Sequence, residues 1–318
     1  VKLSQGAQGA KILAFGGYQP ADIVTNDDLA KRIDTNDEWI QSRVGIKERR
    51  VAGPNESEID LAVQAGGKAL AASGLSSADI DLVIVATCTL EAQIPNASAR
   101  VAHRLGIDAP GAFDVNAACA GFCYALSAAA DAVRAGSATH VLVVGTEKLT
   151  QWIDWDDRAT SVIFADGAGA AVVGPSDTPR VGPVVWGSAG DKFDAIAVAN
   201  RNSFLHQEGQ TVFRWATTAL HPVAKLACER AGVDPAELSA FVPHQANLRI
   251  IEAIARKLGA DNAVIARDIV LAGNTSAASI PLALSRMIER GEVQSGGLAL
   301  LLGFGAGLTY AGQVIEIP

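Results

Sequence analysis

Cys119 sits in Asp114-Val115-Asn116-Ala117-Ala118-Cys119-Ala120-Gly121-Phe122, where a short apolar strand gives way to small residues and then to the helical run Tyr124-Ala125-Leu126-Ser127-Ala128-Ala129-Ala130. A thiol at that junction lies at a helix N-terminus. Unpaired backbone N–H groups and the helix dipole favour the thiolate there, and a thiolate can take an acyl group as a thioester. The same window also suits a small core residue, since free cysteine is among the most buried types. Two other residues offer complementary chemistry: His244 follows the apolar run Phe241-Val242-Pro243, and Asn274 lies in Ala272-Gly273-Asn274-Thr275-Ser276-Ala277-Ala278-Ser279. Imidazole and amide donors can hold the oxygen of a developing enolate. Taken singly, His244 also fits a structural histidine, and Asn274 a turn or cap. The turn Gly303-Phe304-Gly305-Ala306-Gly307 offers backbone N–H groups to a tetrahedral oxyanion. It lacks the strand-to-helix context of a dinucleotide site and would equally serve as a tight packing turn.

Positioning these groups together requires two halves in register. Lys68-Ala69-Leu70, Gly74-Leu75-Ser76 and Leu82-Val83-Ile84-Val85 read as helix, turn and strand, and Lys225-Leu226-Ala227, Gly232-Val233-Asp234 and Ala240-Phe241-Val242 repeat that order. The offset is 158, 232 minus 74, and it also carries Ala125-Leu126-Ser127 onto Ala283-Leu284-Ser285 and His140–Gly145 onto 298–303. One register kept over several segments predicts a duplicated α/β unit, with residues 1–175 carrying the cysteine and 176–318 the histidine and asparagine. In that frame His244 matches Ala86 and Asn274 matches Asn116, so symmetry brings all three groups toward one axis. Alternating β-branched runs and alanine-rich stretches predict sheets covered by helices. Residues 4–9 read as a flexible end, Pro175-Ser176-Asp177-Thr178-Pro179 as the crossover, and 191–208 as a loop or lid.

The chain has 318 residues, 49% of them apolar and 19% charged, with 31 glycines, which is the balance of a tightly packed α/β enzyme. A net charge of −8 argues against nucleic acid or an anionic membrane as the main partner. The four cysteines, Cys88, Cys119, Cys123 and Cys228, match neither a disulfide framework nor a zinc pattern, and a reducing cytoplasm fits them. Cys123, one helical turn from Cys119, is read as packing. No metal site is expected. No secretory signal is visible at the start, and the opening Val suggests a trimmed N-terminus. The most apolar stretch, 298–312, is broken by glycines and falls short of the roughly 20 residues of a membrane span.

Over 10–317 the sequence resembles the β-ketoacyl-acyl-carrier-protein synthase III enzymes of the thiolase-like superfamily, including priming ketosynthases of actinobacterial type. The resemblance is carried by Asn36-Asp37-Glu38-Trp39-Ile40, Gly45-Ile46, Ala118-Cys119-Ala120-Gly121-Phe122, Phe164-Ala165-Asp166-Gly167-Ala168-Gly169, Pro243-His244-Gln245-Ala246-Asn247 and Gly273-Asn274-Thr275-Ser276-Ala277-Ala278-Ser279-Ile280-Pro281. It implies a five-layered αβαβα thiolase-like fold, a homodimer, and a transferase that needs no cofactor beyond its coenzyme A thioester substrate. A short acyl group would pass from coenzyme A to Cys119. Malonyl-acyl-carrier protein would then lose carbon dioxide and attack the thioester, with His244 and Asn274 holding the enolate. Phe304, Gly305 and Ala306 would shield the site and supply the oxyanion turn. Trp39 and Arg158 would sandwich the adenine, with Arg43, Gly209, Phe213 and Asn247 along the pantetheine channel. Arg214, Arg249, Arg256 and Lys257 would dock the acidic carrier protein, although a solvated helix face has the same look.

The Cys-His-Asn set departs from relatives that use two histidines, a second C-terminal cysteine or a glutamate base. The 191–206 stretch is shorter than in the family pattern. Ile94, in Thr89-Leu90-Glu91-Ala92-Gln93-Ile94-Pro95, falls where the family sets the depth of the partner subunit's acyl pocket, and its size implies short straight or branched primers. The resemblance favours a starter-unit role and leaves fatty acid initiation and polyketide priming both open. The alternative from a different class is a non-catalytic partner subunit of a ketosynthase heterodimer, which the retained cysteine argues against.

Overall fold

Apolar runs bounded by turn residues become two five-stranded sheets in the computed structural model, which describes residues 4–92 and 94–318. The expected trimmed start and Gln93 of the 89–95 loop fall outside the described residues. The first sheet holds β1 (Gly9–Tyr18), β2 (Leu82–Ala86), β3 (Gly111–Val115), β4 (Val141–Lys148) and β5 (Asp166–Ser176), in the order β1-β5-β4-β2-β3. The second holds β6 (Val185–Ser188), β7 (Ala240–Pro243), β8 (Val264–Ile265), β9 (Leu298–Gly305) and β10 (Thr309–Glu316), in the order β6-β10-β9-β7-β8. Every strand of the second sheet occupies the place of the strand five earlier. Orientations repeat too: β2 is parallel to β3 and β4, with β5 antiparallel to β4 and β1, and β7 through β10 and β6 do the same.

Helices α2 (Glu58–Ser73) and α3 (Ala97–Arg104) cover the outside of the first sheet, and α5 (Gly209–Ala231) and α6 (Leu248–Leu258) the outside of the second; α1 (Asp37–Val44) lies at the edge of the site. Between the sheets lie α4 (Gly121–Ala135) and α7 (Ser279–Glu289), giving the five layers. Alanines at 125, 129 and 130 of α4 and 283 of α7 let these helices enter a space closed on both sides, while Phe122, Leu126, Leu284 and Met287 fill the core. Each large apolar side chain buried there stabilises by about 1.5–3 kcal/mol. Gly74 and Gly232, the pair that set the offset, end α2 and α5 in the left-handed conformation with φ of 74° and 69°. Glycine adopts it without a Cβ penalty.

The division at 175/176 lies at the C-terminal end of β5, and beyond it Val181 bridges to Ile315 of the second sheet. Two expectations change. Residues 4–9 are not a loose end: the Ser4 hydroxyl donates to the Ala135 carbonyl, Ala7 N–H donates to Val133 O, and β1 already begins at Gly9. The 191–208 stretch contains a two-stranded antiparallel ribbon, Ile196–Ala197 with His206–Gln207, too short for sequence periodicity to reveal.

The two halves interlock where the central helices begin. A 3₁₀ turn, Ala118–Ala120, precedes α4, and its counterpart, Ser276–Ala278, precedes α7. Ala118 (φ 45°) and Ser276 (φ 49°) both take the left-handed conformation, strained for residues with a Cβ. Each turn presses against a glycine of the opposite sheet. A Cβ on Gly145 would lie 2.4 Å from the Ala277 carbonyl oxygen, and one on Gly303 would lie 2.9 Å from Ala120 Cα. Gly145→Ala is therefore expected to lower stability by about 1–3 kcal/mol in denaturant titration, as other overpacked cores do. Gly190→Ala, whose Cβ meets nothing within 4 Å, should stay within about 0.5 kcal/mol of wild type. Equal midpoints for the two variants would show that the turns do not press on the sheets.

Candidate active site

Cys119 stands in the middle of the first 3₁₀ turn, half-buried on the floor of a cleft of about 810 Å³. His244, Asn274, Phe304, Gly305 and Ala306 line the same cleft, so the groups that the 158-residue offset aligned do meet. Gly305 runs against the cysteine so closely that a Cβ there would lie 2.7 Å from Cys119 Cβ. This close approach directs two backbone N–H groups at the sulfur, that of Ala306 and that of Cys119 itself. The turn of small residues thus brings one backbone N–H to the sulfur; the other, the cysteine's own amide, was not anticipated from the sequence.

The expected thiolate is corrected. Burial pushes the Cys119 thiol up to about 12, and the hydrogen bonds around it offset this only in part. A 3₁₀ turn also separates the residue from the first turn of α4. At rest the group is a thiol.

His244 leaves β7 with its N–H donating to Leu302 O, and the ring is buried, edge-on to Phe304 at 5.1 Å between centroids. Its Nδ1 lies 2.7 Å from Ser279 Oγ, which also accepts the Gln245 N–H at 3.3 Å. Nδ1 is the one acceptor for the Ser279 hydroxyl among the described residues, so that hydroxyl donates to it and the ring proton sits on Nε2. Burial pushes the imidazole down to about 3, which keeps it a neutral donor. Asn274 is oriented equally firmly. Its Oδ1 accepts the Ser276 N–H at 2.8 Å, its backbone pairs with Ile163 O and Ala165 N at 2.9 Å each, and its Nδ2 remains for the cleft. The Phe164–Gly169 motif thereby acquires a purpose: Asp166, behind the Phe164–Asn274 bridge, takes the N–H groups of Ala52 and Thr150 and fixes that segment.

At the mouth stand Trp39, Arg43, Arg158, Gly209, Phe213, Arg214, Asn247 and Arg249. The mouth is basic although the chain is acidic. The Trp39–Arg158 slot is not open: the guanidinium carbon lies 4.7 Å from the indole centroid, while a third ring between them needs roughly 7 Å, two stacking distances. Arg158 also donates to Asp34 O at 3.0 Å and must swing aside to admit a ring. Asn247 caps α6 through Arg249 N–H and donates to Arg43 O, so it holds the mouth together as well as lining it. Arg249 lies over Phe213 at 5.0 Å. Arg256 and Lys257 sit outside the cleft on the exposed side of α6, where Lys257 donates to Thr217 O. Ile94 is 87% exposed and does not line this cleft. Among the described residues, no group of three or more His, Cys, Asp or Glu side chains is placed to hold a metal ion, and no helix is long and apolar enough to cross a membrane.

The sequence reading missed Cys88, Glu147 and Ser276, which meet beneath Cys119, and Ser279. Ser276 and Ser279 lie within the motif quoted for Asn274, but nothing in their spacing foretold partners 129 and 35 residues away.

Known proteins resemble this chain in both sequence and fold. Residues 113–190 match the family model described as 3-oxoacyl-[acyl-carrier-protein (ACP)] synthase III, and residues 228–317 match its C-terminal counterpart. Beta-ketoacyl-[acyl-carrier-protein] synthase III 4 of Streptomyces coelicolor is 57% identical over 314 residues, covering 98% of this chain and 99% of that one. Among solved structures, the priming beta-ketosynthase from the R1128 polyketide biosynthetic pathway superposes with a TM-score of 0.96 at 46% identity, covering 99% of this chain and 98% of the other. The 3-oxoacyl-[acyl-carrier-protein] synthase III of Aquifex aeolicus gives 0.92 at 40% identity, covering 97% and 100%.

A neutral His244 has a measurable consequence. Its folded value of about 3 lies below the ordinary 6.5, so the unfolded chain takes up a proton that the folded ring refuses. His244 therefore costs stability progressively as pH falls from 6.5 toward 3 and costs nothing above that window. Its ring resonances in NMR, assigned by loss in His244→Gln, should show no inflection near neutral pH, whereas an inflection close to 6.5 would contradict the buried neutral ring.

Proposed function

The chain belongs to the 3-oxoacyl-[acyl-carrier-protein] synthase III family, and on that premise we propose how its residues divide the reaction. It is a condensing acyltransferase of the kind that initiates fatty acid or polyketide synthesis. A short acyl-coenzyme A primer transfers its acyl group to Cys119. Malonyl-acyl-carrier protein then enters, loses carbon dioxide and attacks the Cys119 thioester, releasing a 3-ketoacyl-acyl-carrier protein.

The observation that carries this reading is the pairing of two separate donor sets around one thiol. The N–H groups of Cys119 and Ala306 converge on the sulfur, where the oxygen of an acyl group under attack would develop charge. His244 Nε2 and Asn274 Nδ2 form the second set, suited to the malonyl thioester oxygen as it becomes an enolate. Two oxyanion sites suit two successive half-reactions. Phe304, almost wholly buried, keeps water from the space between them and presents an apolar ring to a carboxylate, which favours its departure as neutral carbon dioxide.

The remaining assignments rest on placement. Trp39 and Arg158 would take the adenine once the guanidinium moves, with Arg43, Gly209, Phe213 and Asn247 beside the pantetheine arm. Arg214 and Arg249 at the mouth, with Arg256 and Lys257 beyond it on α6, form a basic approach for an acidic carrier protein. A homodimer is part of the reading, supported by Ile94, an exposed large apolar side chain that a second subunit would cover. A cytoplasmic location is supported by four unpaired cysteines.

Radiolabelled acetyl-coenzyme A should transfer its label to the wild-type protein and not to Cys119→Ser. An unlabelled wild type would remove the enzyme reading and favour a non-catalytic partner subunit. Arg256→Glu, outside the cleft, should raise the KM for malonyl-acyl-carrier protein several-fold at low salt, less at high salt, with the acylation rate from acetyl-coenzyme A as internal reference. An unchanged KM would take α6 out of the docking surface.

A further inference from the structure

Behind Asn274 lies a buried cation that no carboxylate neutralises among the described residues. Arg49, in the short strand Glu48–Val51, is wholly buried, and its guanidinium is hydrogen-bonded to neutral oxygens alone. Nη1 donates to Val24 O at 3.1 Å and to Asn26 Oδ1 at 2.9 Å, and Nη2 donates to Val162 O at 2.9 Å. The Nε–H finds no acceptor among the described residues, and the adjacent Glu48 pairs with Arg50 instead, at 3.9 Å. Burial pushes the guanidinium down to about 10, so it is still a cation at neutral pH. An unpaired buried charge is costly, and exchanging buried charges for apolar side chains is often neutral or stabilising. Stability alone is a poor account of such a residue, and its contacts point to the site.

Arg49 reaches the Asn274 segment at two places. Val162, which takes the Nη2 proton, is followed by Ile163, whose carbonyl accepts the Asn274 N–H at 2.9 Å, and by Phe164, which bridges to Asn274. The guanidinium therefore holds the stretch of chain from which the Asn274 backbone hangs. Its aliphatic stem packs against Gly273: a Cβ there would lie 3.0 Å from Arg49 Cβ, and Gly273 turns the chain over the arginine with φ of 71°. The guanidinium is itself aimed by Asn26, whose Nδ2 donates to Asp37 Oδ1 and Ile46 O at 2.8 Å each, leaving Oδ1 to face Arg49. Acceptors on both sides of a plane suit the fixed fork of an arginine and not the point charge of a lysine. None of these hydrogen bonds involves Cys119 or Ala306.

We propose that Arg49 is a positioning residue for the second half-reaction, its guanidinium holding the Val162–Ile163 segment and its stem the Gly273 turn so that the Asn274 amide meets the malonyl thioester oxygen. The proposal rests on the division of donors given under the proposed function. Arg49 touches no substrate and acts only through Asn274. Its loss therefore falls on the step that uses Asn274 and spares acylation, which uses the N–H groups of Cys119 and Ala306.

The test compares wild type, Arg49→Lys, Arg49→Met, Asn274→Ala and the two double variants, all as the full chain. Lysine keeps the charge without the fork; methionine keeps the stem and removes the buried charge, so it carries the test alone should Arg49→Lys fail to fold. Two single-turnover rates are read: transfer of label from saturating acetyl-coenzyme A to Cys119, and release of labelled carbon dioxide from malonyl-acyl-carrier protein by protein already acetylated at Cys119. Each Arg49 variant should keep its acylation rate within about twofold and release carbon dioxide about tenfold more slowly, less than the roughly 10²–10³-fold that outright loss of an oxyanion donor costs. In the Asn274→Ala background the Arg49 substitutions should cost nothing further, a result that a merely structural role would not give. Equal losses in the two rates, losses that multiply with Asn274→Ala, or wild-type carbon dioxide release in either Arg49 variant would each overturn the proposal. Wild-type carbon dioxide release in Asn274→Ala, or absence of label on wild-type Cys119, would instead overturn the proposed function.

Discussion

The turn that carries Cys119 exists because the opposite sheet yields a glycine to it. Ala118 and Ser276 are held in a conformation that costs on the order of 1–3 kcal/mol each, and only a surround that leaves no alternative keeps them there. Gly145 and Gly303 provide that surround by letting the neighbouring turn come to backbone contact. Once the turns are pressed home, α4 and α7 must start where they do, the Asn274 amide is clamped by Ser276 N–H, and Gly305 can pass the cysteine closely enough to bring Ala306 N–H to the sulfur. Function and fold depend here on the same contacts.

The pseudo-symmetry sets several working residues opposite small ones, while Asn274 keeps a polar counterpart in Asn116. In the 158-residue register Cys119 matches Ala277, His244 matches Ala86, Ser279 matches Gly121, and Glu147 matches Gly305. The pairings are preserved as well: Gly121 faces Ala86 across the same gap in which Ser279 meets His244. At these positions one half has kept small residues where the other needed polar ones. The acidic chain has likewise placed its charge unevenly, leaving arginines at the mouth. Burial then does most of the electrostatic tuning, pushing the thiol up and the imidazole down, so that both resting groups are uncharged and charge appears only as bonds change.

Much of this was legible from residue order. The offset between Gly74 and Gly232 reflects a physical need for a left-handed cap at both places, and the apolar central strands announced sheets buried on both faces. Cys119, His244 and Asn274 were legible because each ends an element whose partner in the other half could be aligned. Glu147 and Ser279 were not, since their roles depend on hydrogen bonds that close across 129 and 35 residues and leave no periodic trace. The thiolate expectation failed for a related reason: residue order shows proximity to a helix N-terminus but not the desolvation that outweighs it. The ribbon within 191–208 was too short to carry a pattern, and the closed Trp39–Arg158 slot is a matter of rotamer, which composition does not record.

The central claim is that two distinct donor sets divide one cleft, and the structure of the Cys119-acetylated protein tests it most directly. The account predicts that the acetyl oxygen lies within about 3 Å of both Cys119 N and Ala306 N, with His244 Nε2 and Asn274 Nδ2 unengaged by it. An acetyl oxygen bound instead by His244 and Asn274 would contradict the division, because the donors assigned to the second half-reaction would already be occupied in the first.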